Sequence, residues 1–252
     1  MRLSAFIPSA ALILLPAISS AALVAIDATG YSHDIVFGAG ETGGSINGTM
    51  DSGGGLIGTS TWYGVGRNTA APLTGLPVGV TVSQTTADLS FQLQPFAGGS
   101  NALMLNNGDS GTLTLAVAGA FTRIALIGST GNGTGDNTVT VNFSDGSNQI
   151  FSSLGAGINS DWFNNTPIAY TANGRTANGT DFDNVDNNQP RIYETILTLS
   201  NTTANVTSVT IANGGTGHTA IMAISGEAVP EPASAALLGA AGLLGLMRSR
   251  RA

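Results

Sequence analysis

Short runs of strict alternation, each closed by a turn dipeptide, constrain this chain most. Leu89, Phe91 and Leu93 alternate with Ser90, Gln92 and Gln94. Leu113, Leu115 and Val117 alternate with Thr112, Thr114 and Ala116, and Val139, Val141 and Phe143 with Thr138, Thr140 and Asn142. A period of two places one set of side chains on each face of a strand. Between the runs stand Asn107-Gly108, Asn132-Gly133, Asp145-Gly146, Asn173-Gly174, Asn178-Gly179 and Asn213-Gly214. Asn-Gly and Asp-Gly suit the positive φ of tight hairpins. Nothing between Leu23 and Val229 has a helical period. The pattern predicts an all-β fold of many short strands, a sandwich or barrel.

Phe121 to Ile127 and Ile192 to Leu199 read as longer strands with mixed faces, and Ala220 to Ser225 as the last strand. The stretch from Gly38 to Gly66, with Gly53-Gly54-Gly55 at its centre, reads as an irregular loop. One or two short strands are expected in it, near Ile46 and from Leu56 to Tyr63. The one clear boundary falls at Glu227 to Pro232.

Both ends look like addresses rather than fold. Met1-Arg2, an apolar run from Leu3 to Ile18 and the small residues Ser19-Ser20-Ala21-Ala22 form a signal peptide over 1–22, cut after Ala21 or Ala22 by signal peptidase. At the other end Val229-Pro230-Glu231-Pro232 precedes an uncharged run from Ala233 to Met247, followed by Arg248, Arg250 and Arg251. A helix of that length reaches roughly 22 Å at 1.5 Å per residue, close enough to a ~30 Å hydrocarbon core for local thinning to bridge. The arginines after it stay on the cytoplasmic side. Motif 229–232, transmembrane helix 233–247 and basic end 248–252 together resemble the PEP-CTERM sorting tail of Gram-negative bacteria that make exopolysaccharide. The resemblance implies a transient inner-membrane anchor, recognised by an exosortase and cut near the Pro-Glu-Pro. The exported part is then a 23–228 ectodomain, delivered to the cell surface or extracellular matrix.

Composition narrows the partners. There is no cysteine and no lysine, so thiol and Schiff-base chemistry are absent and core burial must stabilise the domain. Outside the signal and tail, Arg67, Arg123, Arg175 and Arg191 face fourteen acidic residues, a net charge of about −10. Phosphate contacts dominate nucleic-acid affinity, so no nucleic-acid partner is expected. Neutral sugars, cations and hydrophobic surfaces suit such a domain better.

From Gly75 onward a series of features occurs in order: Gly75-Leu76-Pro77, Phe91 to Phe96, Asn101 to Leu105, Arg123 to Ile127, Val139 to Gly146, Asp161-Trp162-Phe163, Arg191 to Glu194, Val206 to Ile211 and Ile221 to Gly226. The series resembles galactose-binding-like domains, the jelly-roll β-sandwich modules of many secreted bacterial proteins. The resemblance implies a single jelly-roll ectodomain and leaves the sugar site open, since fold does not fix function.

The chemistry-bearing residues are few. His33 and His218 are far apart, and no His-Glu-x-x-His or Gly-x-Ser-x-Gly motif occurs. The chain is therefore expected not to be an enzyme. A sugar needs an aromatic platform beside amide, acid and Arg groups. Asp161, Trp162, Tyr170 and Arg175 in the longest inter-strand stretch are the candidates, with Trp162 as platform or, alternatively, as a plug in the sandwich end, and with Arg175, like Arg191, read more readily as the partner of a nearby acid. No cofactor is expected beyond calcium, for which Asp181, Asp183 and Asp186 sit with three Asn residues in eight positions; a solvated acidic loop is the other reading. Gly133 to Asn137 is a thinner candidate, read mainly as a hairpin turn. The expected function is that of an exported matrix or surface protein associated with exopolysaccharide and biofilm, with weak carbohydrate binding. A structural coat protein without ligand and a secreted polysaccharide hydrolase are the alternatives.

Overall fold

The computed structural model describes residues 22–230, apart from 43, 52–59, 68–74, 164 and 178–187. In the described residues the chain begins with β1 (Val24–Ile26), β2 (Ala28–Thr29), β3 (Val36–Phe37) and β4 (Ser60–Tyr63). Next come β5 (Val80–Val82), β6 (Ser90–Gln92), β7 (Leu103–Leu105), β8 (Ser110–Gly119), β9 (Phe121–Gly131), β10 (Asn137–Phe143) and β11 (Asn148–Phe151). A 3-10 turn at Gly157–Asn159 precedes β12 (Ile168–Thr171), β13 (Thr176–Ala177), β14 (Arg191–Thr198), β15 (Val206–Asn213) and β16 (His218–Ala228). The all-β expectation holds. The last strand is longer at both ends than the alternation marked.

Two antiparallel sheets carry the architecture. One has the order β1-β16-β9-β14-β12 with β7 also on β16; the other has the order β11-β10-β15-β8-β2. They curl into a half-barrel, a β-sandwich-like arrangement. Between them lie Ile124, Leu126, Ile221 and Ile224 from the first sheet, packed with Leu113, Val139, Val141, Val209 and Ile211 from the second. The first sheet is covered on its other face too. There Ala125, Ile127, Ile192, Ala220 and Met222 meet Leu23, Ile35, Trp62, Leu89, Phe91 and Trp162. This third layer is built from the early irregular segment, with the small sheets β13-β4-β3 and β5-β6.

The double burial explains the sequence. A strand covered on both faces needs apolar residues at every position. Hence β9 reads Ile124-Ala125-Leu126-Ile127 and β16 Ala220-Ile221-Met222-Ala223-Ile224 without alternation, while β14 keeps Glu194 and Thr195 buried among its apolar residues. The second sheet has one face on the core and one in water, so β10 alternates strictly between buried and half-buried residues. Val117 departs from the expected pattern and is 78 % exposed. The register between β15 and β8 shifts between Val206 and Ser208, so pairing passes over residues 115–118 and the alternation does not carry through.

The turns follow the dipeptides with one correction. Gly146 has φ +84° and Asn132 φ +56°. Asn213, by contrast, is the buried last residue of β15 and does not open a positive-φ hairpin. Its Nδ2 donates to Leu105 O (3.2 Å) and Gly217 O (2.8 Å), and its Oδ1 accepts from Gly215 N (2.9 Å). Ile46 is buried but belongs to no strand. Leu56, Asn178-Gly179, the signal segment 1–21 and the tail helix 233–247 lie outside the described residues. Among the described residues no helix is long and apolar enough to cross a membrane.

A buried carboxylate ties the third layer to the first sheet. Glu194 on β14 is 1 % exposed and accepts hydrogen bonds from the Ser83 and Thr86 hydroxyls in the β5–β6 connection. Bonds to charged groups contribute about 1.5–3 kcal/mol, and orphaned partners add a penalty. Glu194→Ala is expected to lower unfolding free energy by about 2–4 kcal/mol, read as a fall in the urea midpoint. Ser83→Ala should cost less, since Thr86 still holds the carboxylate.

Candidate functional site

A polar cleft of about 460 Å³ opens between the β9–β10 turn and the segment before β12. Its side chains are Thr134, Asn159, Ser160, Asp161 and Asn165; Gly135, Gly155 and Ala156 complete the wall. Backbone bonds place these groups. Thr130 N donates to Ser160 O (2.8 Å) and Trp162 N to Thr130 O (2.9 Å), so residues 160–162 run beside the end of β9 as a short parallel strand. Gly135 N donates to Asn159 O (2.9 Å). Asn137 N and Nδ2 both donate to Asn159 Oδ1, at 3.0 and 2.7 Å.

Two features make this cleft chemically distinct. Burial pushes the Asp161 carboxyl above the usual carboxylate range, and the nearby Asp51 charge adds to the effect; Phe163 N, Gly133 N and the Arg175 charge oppose it. Ser160 is 3 % exposed, and among the described residues neither its hydroxyl nor the buried Asn137 Oδ1 has a hydrogen-bond partner. Buried polar groups without partners are uncommon and each asks for an explanation.

Behind the cleft, Trp162 takes the second of its two readings, a plug and not a platform. Trp162 is fully buried. It meets Trp62 edge-on at 4.9 Å and Phe163 at 4.9 Å, and its Nε1 donates to Asp51 Oδ1 at 3.2 Å. With no free ring face it cannot stack on a sugar. Arg175 is likewise committed: it pairs with Asp51 and lies 5.1 Å from the Phe163 ring centroid and 5.8 Å from that of Trp162. The structure thus gathers Asp161, Trp162 and Arg175, as the sequence reading grouped them, but only Asp161 lines the cleft. Tyr170 is placed elsewhere, its hydroxyl donating to Gly75 O at 3.2 Å.

Asp51 is the organising residue that the sequence reading missed. It stands at the edge of the Gly-rich segment, with no motif around it. Thr134 and Gly135 belong to the thinner candidate at Gly133 to Asn137, read mainly as a hairpin turn, and Ser160 and Asn159 give no signal, because small polar residues are ordinary in loops.

Asp181, Asp183 and Asp186 lie outside the described residues. Among the described residues no three His, Asp or Glu side chains cluster as a metal site. His218 is buried, which lowers its pKa, and its Nε2 donates to Met50 O at 2.7 Å. Of the sorting residues, Val229 N donates to Ala120 O at 3.1 Å; Glu231, Pro232, Arg248, Arg250 and Arg251 lie outside the described residues. Nearby, Arg123 pairs with both Asp88 and Glu227.

One buried acid sits away from the cleft. Burial pushes the Asp34 carboxyl up to about 6, with the Glu41 charge adding to it and bonds from Asn101 and Val36 opposing it. Its contribution is whole where the carboxyl is protonated in both states and is lost as pH rises through about 6. Asp34→Asn is therefore expected to stabilise the domain by about 1–3 kcal/mol at pH 8 and to change little at pH 4. Thermal melts at the two pH values check this.

No protein-family model and no curated protein matches the chain.

Proposed function

We propose that this is an exported, non-enzymatic surface or matrix protein, sorted by an exosortase through its PEP-CTERM-like tail and associated with exopolysaccharide. The carrying observation is the order of Pro230-Glu231-Pro232, an uncharged run and three arginines, placed just after the last strand. That strand ends at Ala228, so a cut near the motif would release the sandwich without touching its core. On this reading the tail holds the protein transiently in the inner membrane, and the ectodomain acts at the cell surface or in the matrix. Its finer fold is a galactose-binding-like jelly roll, a reading supported by two facing antiparallel sheets of five and six strands.

Binding fits the cleft better than catalysis. Glycoside hydrolysis uses two carboxyl groups on either side of the bond. Among the described residues the cleft presents one acid, Asp161. Asp51, the acid beside it, has one oxygen on Trp162 Nε1 and the other on Arg175. This favours a binding protein over a secreted hydrolase. A coat protein without ligand is the second reading, favoured by the absence of an exposed Trp.

Replacing Pro230, Glu231 and Pro232 by Ala should leave the protein in the membrane fraction of a host with the exosortase, while the native chain leaves it. Equal distribution of the two forms would refute the sorting claim. Retention of the processed protein on polysaccharide from that host separates the binding reading from the coat reading.

A further inference from the structure

We infer that, while the tail still anchors the chain, the domain stands with Val117 and its neighbours against the surface of a zwitterionic lipid bilayer. The inference rests on the reading that residues 233–247 anchor the chain, and it adds the face of the domain that meets lipid. The short reach of the chain beyond the last strand carries it. β16 ends at Ala228, and only Val229 to Pro232 separate it from the uncharged run that starts at Ala233. Five residue steps span at most about 18 Å when fully extended. The end of the domain where β16 stops is therefore held close to the lipid.

That end of the domain carries an apolar surface. Val24 at the start of β1 is opposite Gly226, and Ala228 is opposite Phe121 at the start of β9. Val229 N donates to Ala120 O at 3.1 Å, which ties the departing chain to the β8–β9 connection. Just before that connection Ala116, Val117 and Ala118 are exposed, Val117 by 78 %. The register shift between β15 and β8 takes them out of that ladder, while Ala116 N donates to Asp27 O at 2.8 Å. Together with Ala25, Ile26 and Phe121 they frame a groove of about 300 Å³. Val24, 52 % exposed, extends the apolar surface along β1.

Charge selects the lipid. No charged residue occurs between Asp109 and Arg123. Arg123, on the strand that follows, is paired with both Asp88 and Glu227. Asp27 is exposed at the rim of the groove, in a domain of net charge about −10. The negative surface potential of an anionic bilayer would repel such a domain, and a zwitterionic bilayer does not. Even a myristoyl chain gives only marginal membrane binding, and two exposed valines offer less apolar surface than that. The tether supplies the rest, because it keeps the patch at high effective concentration beside the bilayer. The contact is thus made before the tail is cut and lost afterwards.

The chain has no cysteine, so single Val117→Cys, Thr216→Cys and Ser234→Cys substitutions each place one fluorophore. The three full-length proteins are reconstituted with the tail intact in phosphatidylcholine vesicles that carry a nitroxide on the headgroup. The nitroxide should quench the labels at positions 117 and 234. Position 216 lies just before β16, about 33 Å from its other end, so quenching there should be at least about fivefold smaller. Adding Val117→Glu to an Ala118→Cys label should cut the quenching at 118 by about fivefold, with the urea midpoint unchanged because the side chain is exposed. Replacing half of the phosphatidylcholine by phosphatidylglycerol should also weaken quenching at 117. Equal quenching at 117 and 216 with 234 still quenched, or no effect of Val117→Glu, overturns the inference and leaves the anchor standing. Absence of quenching at 234 overturns the inference together with the anchor reading on which it rests.

Discussion

Trp162→Ala is expected to remove about 3–5 kcal/mol of stability, the usual range for deleting a buried Trp. The side chain is wholly enclosed, it anchors the Trp62 edge contact, and its indole N–H satisfies Asp51. Deleting it opens a cavity between the third layer and the first sheet. It also withdraws the surface against which Arg175 is held. For a domain of this size each kcal/mol moves Tm by roughly 2–4 °C, so a fall of roughly 6–20 °C is expected. Trp162→Phe should cost clearly less, because a ring remains and only the bond to Asp51 is lost. A fall in Tm of under about 3 °C for Trp162→Ala would show that the ring is not the plug its burial implies.

Gly128→Ala is expected to be still more damaging. Gly128 lies in the middle of β9, paired with Tyr193 on one side and Ile221 on the other. A Cβ there would come within 2.2 Å of Ala220 O and 3.1 Å of the Ile221 Cα. Both are backbone atoms of a central strand and cannot swing away. The register of β16 against β9 shifts between Ile221 and Ala223 beside this glycine, and a glycine inside a strand marks such close approach. A loss above about 4 kcal/mol belongs to the exceptional class of single substitutions, so the variant should accumulate poorly or unfold far below the parent. Gly146→Ala supplies the contrast. That glycine has positive φ but nothing within 4 Å of its missing side chain, so the cost is limited to about 1 kcal/mol of backbone strain. Equal urea midpoints for the two variants would contradict the packing described for β9.

The sequence made the second sheet legible because one of its faces meets water. Thr138, Thr140 and Asn142 opposite Val139, Val141 and Phe143 could only be a half-buried strand. The third layer was hidden for the complementary reason. Segments such as Ile35-Val36-Phe37 and Trp62-Tyr63 are too short to show a period, and the Gly-rich chain between them carries none. The candidate site was half legible. Asp161, Trp162 and Arg175 do come together, but sequence separates neither a platform from a plug nor a free guanidinium from one held by Asp51, because both distinctions depend on burial. The cleft itself is made by backbone bonds from Thr130 and Gly135 to residues 159–160, and no side-chain pattern records them.

The sorting claim at the centre of the proposal has one direct measurement, the intact mass of the protein recovered from a host that carries an exosortase. The exported form should begin near Leu23 and end near Pro232, without the helix 233–247 and the arginines after it. A mass that retains Arg251 in most molecules would contradict the claim.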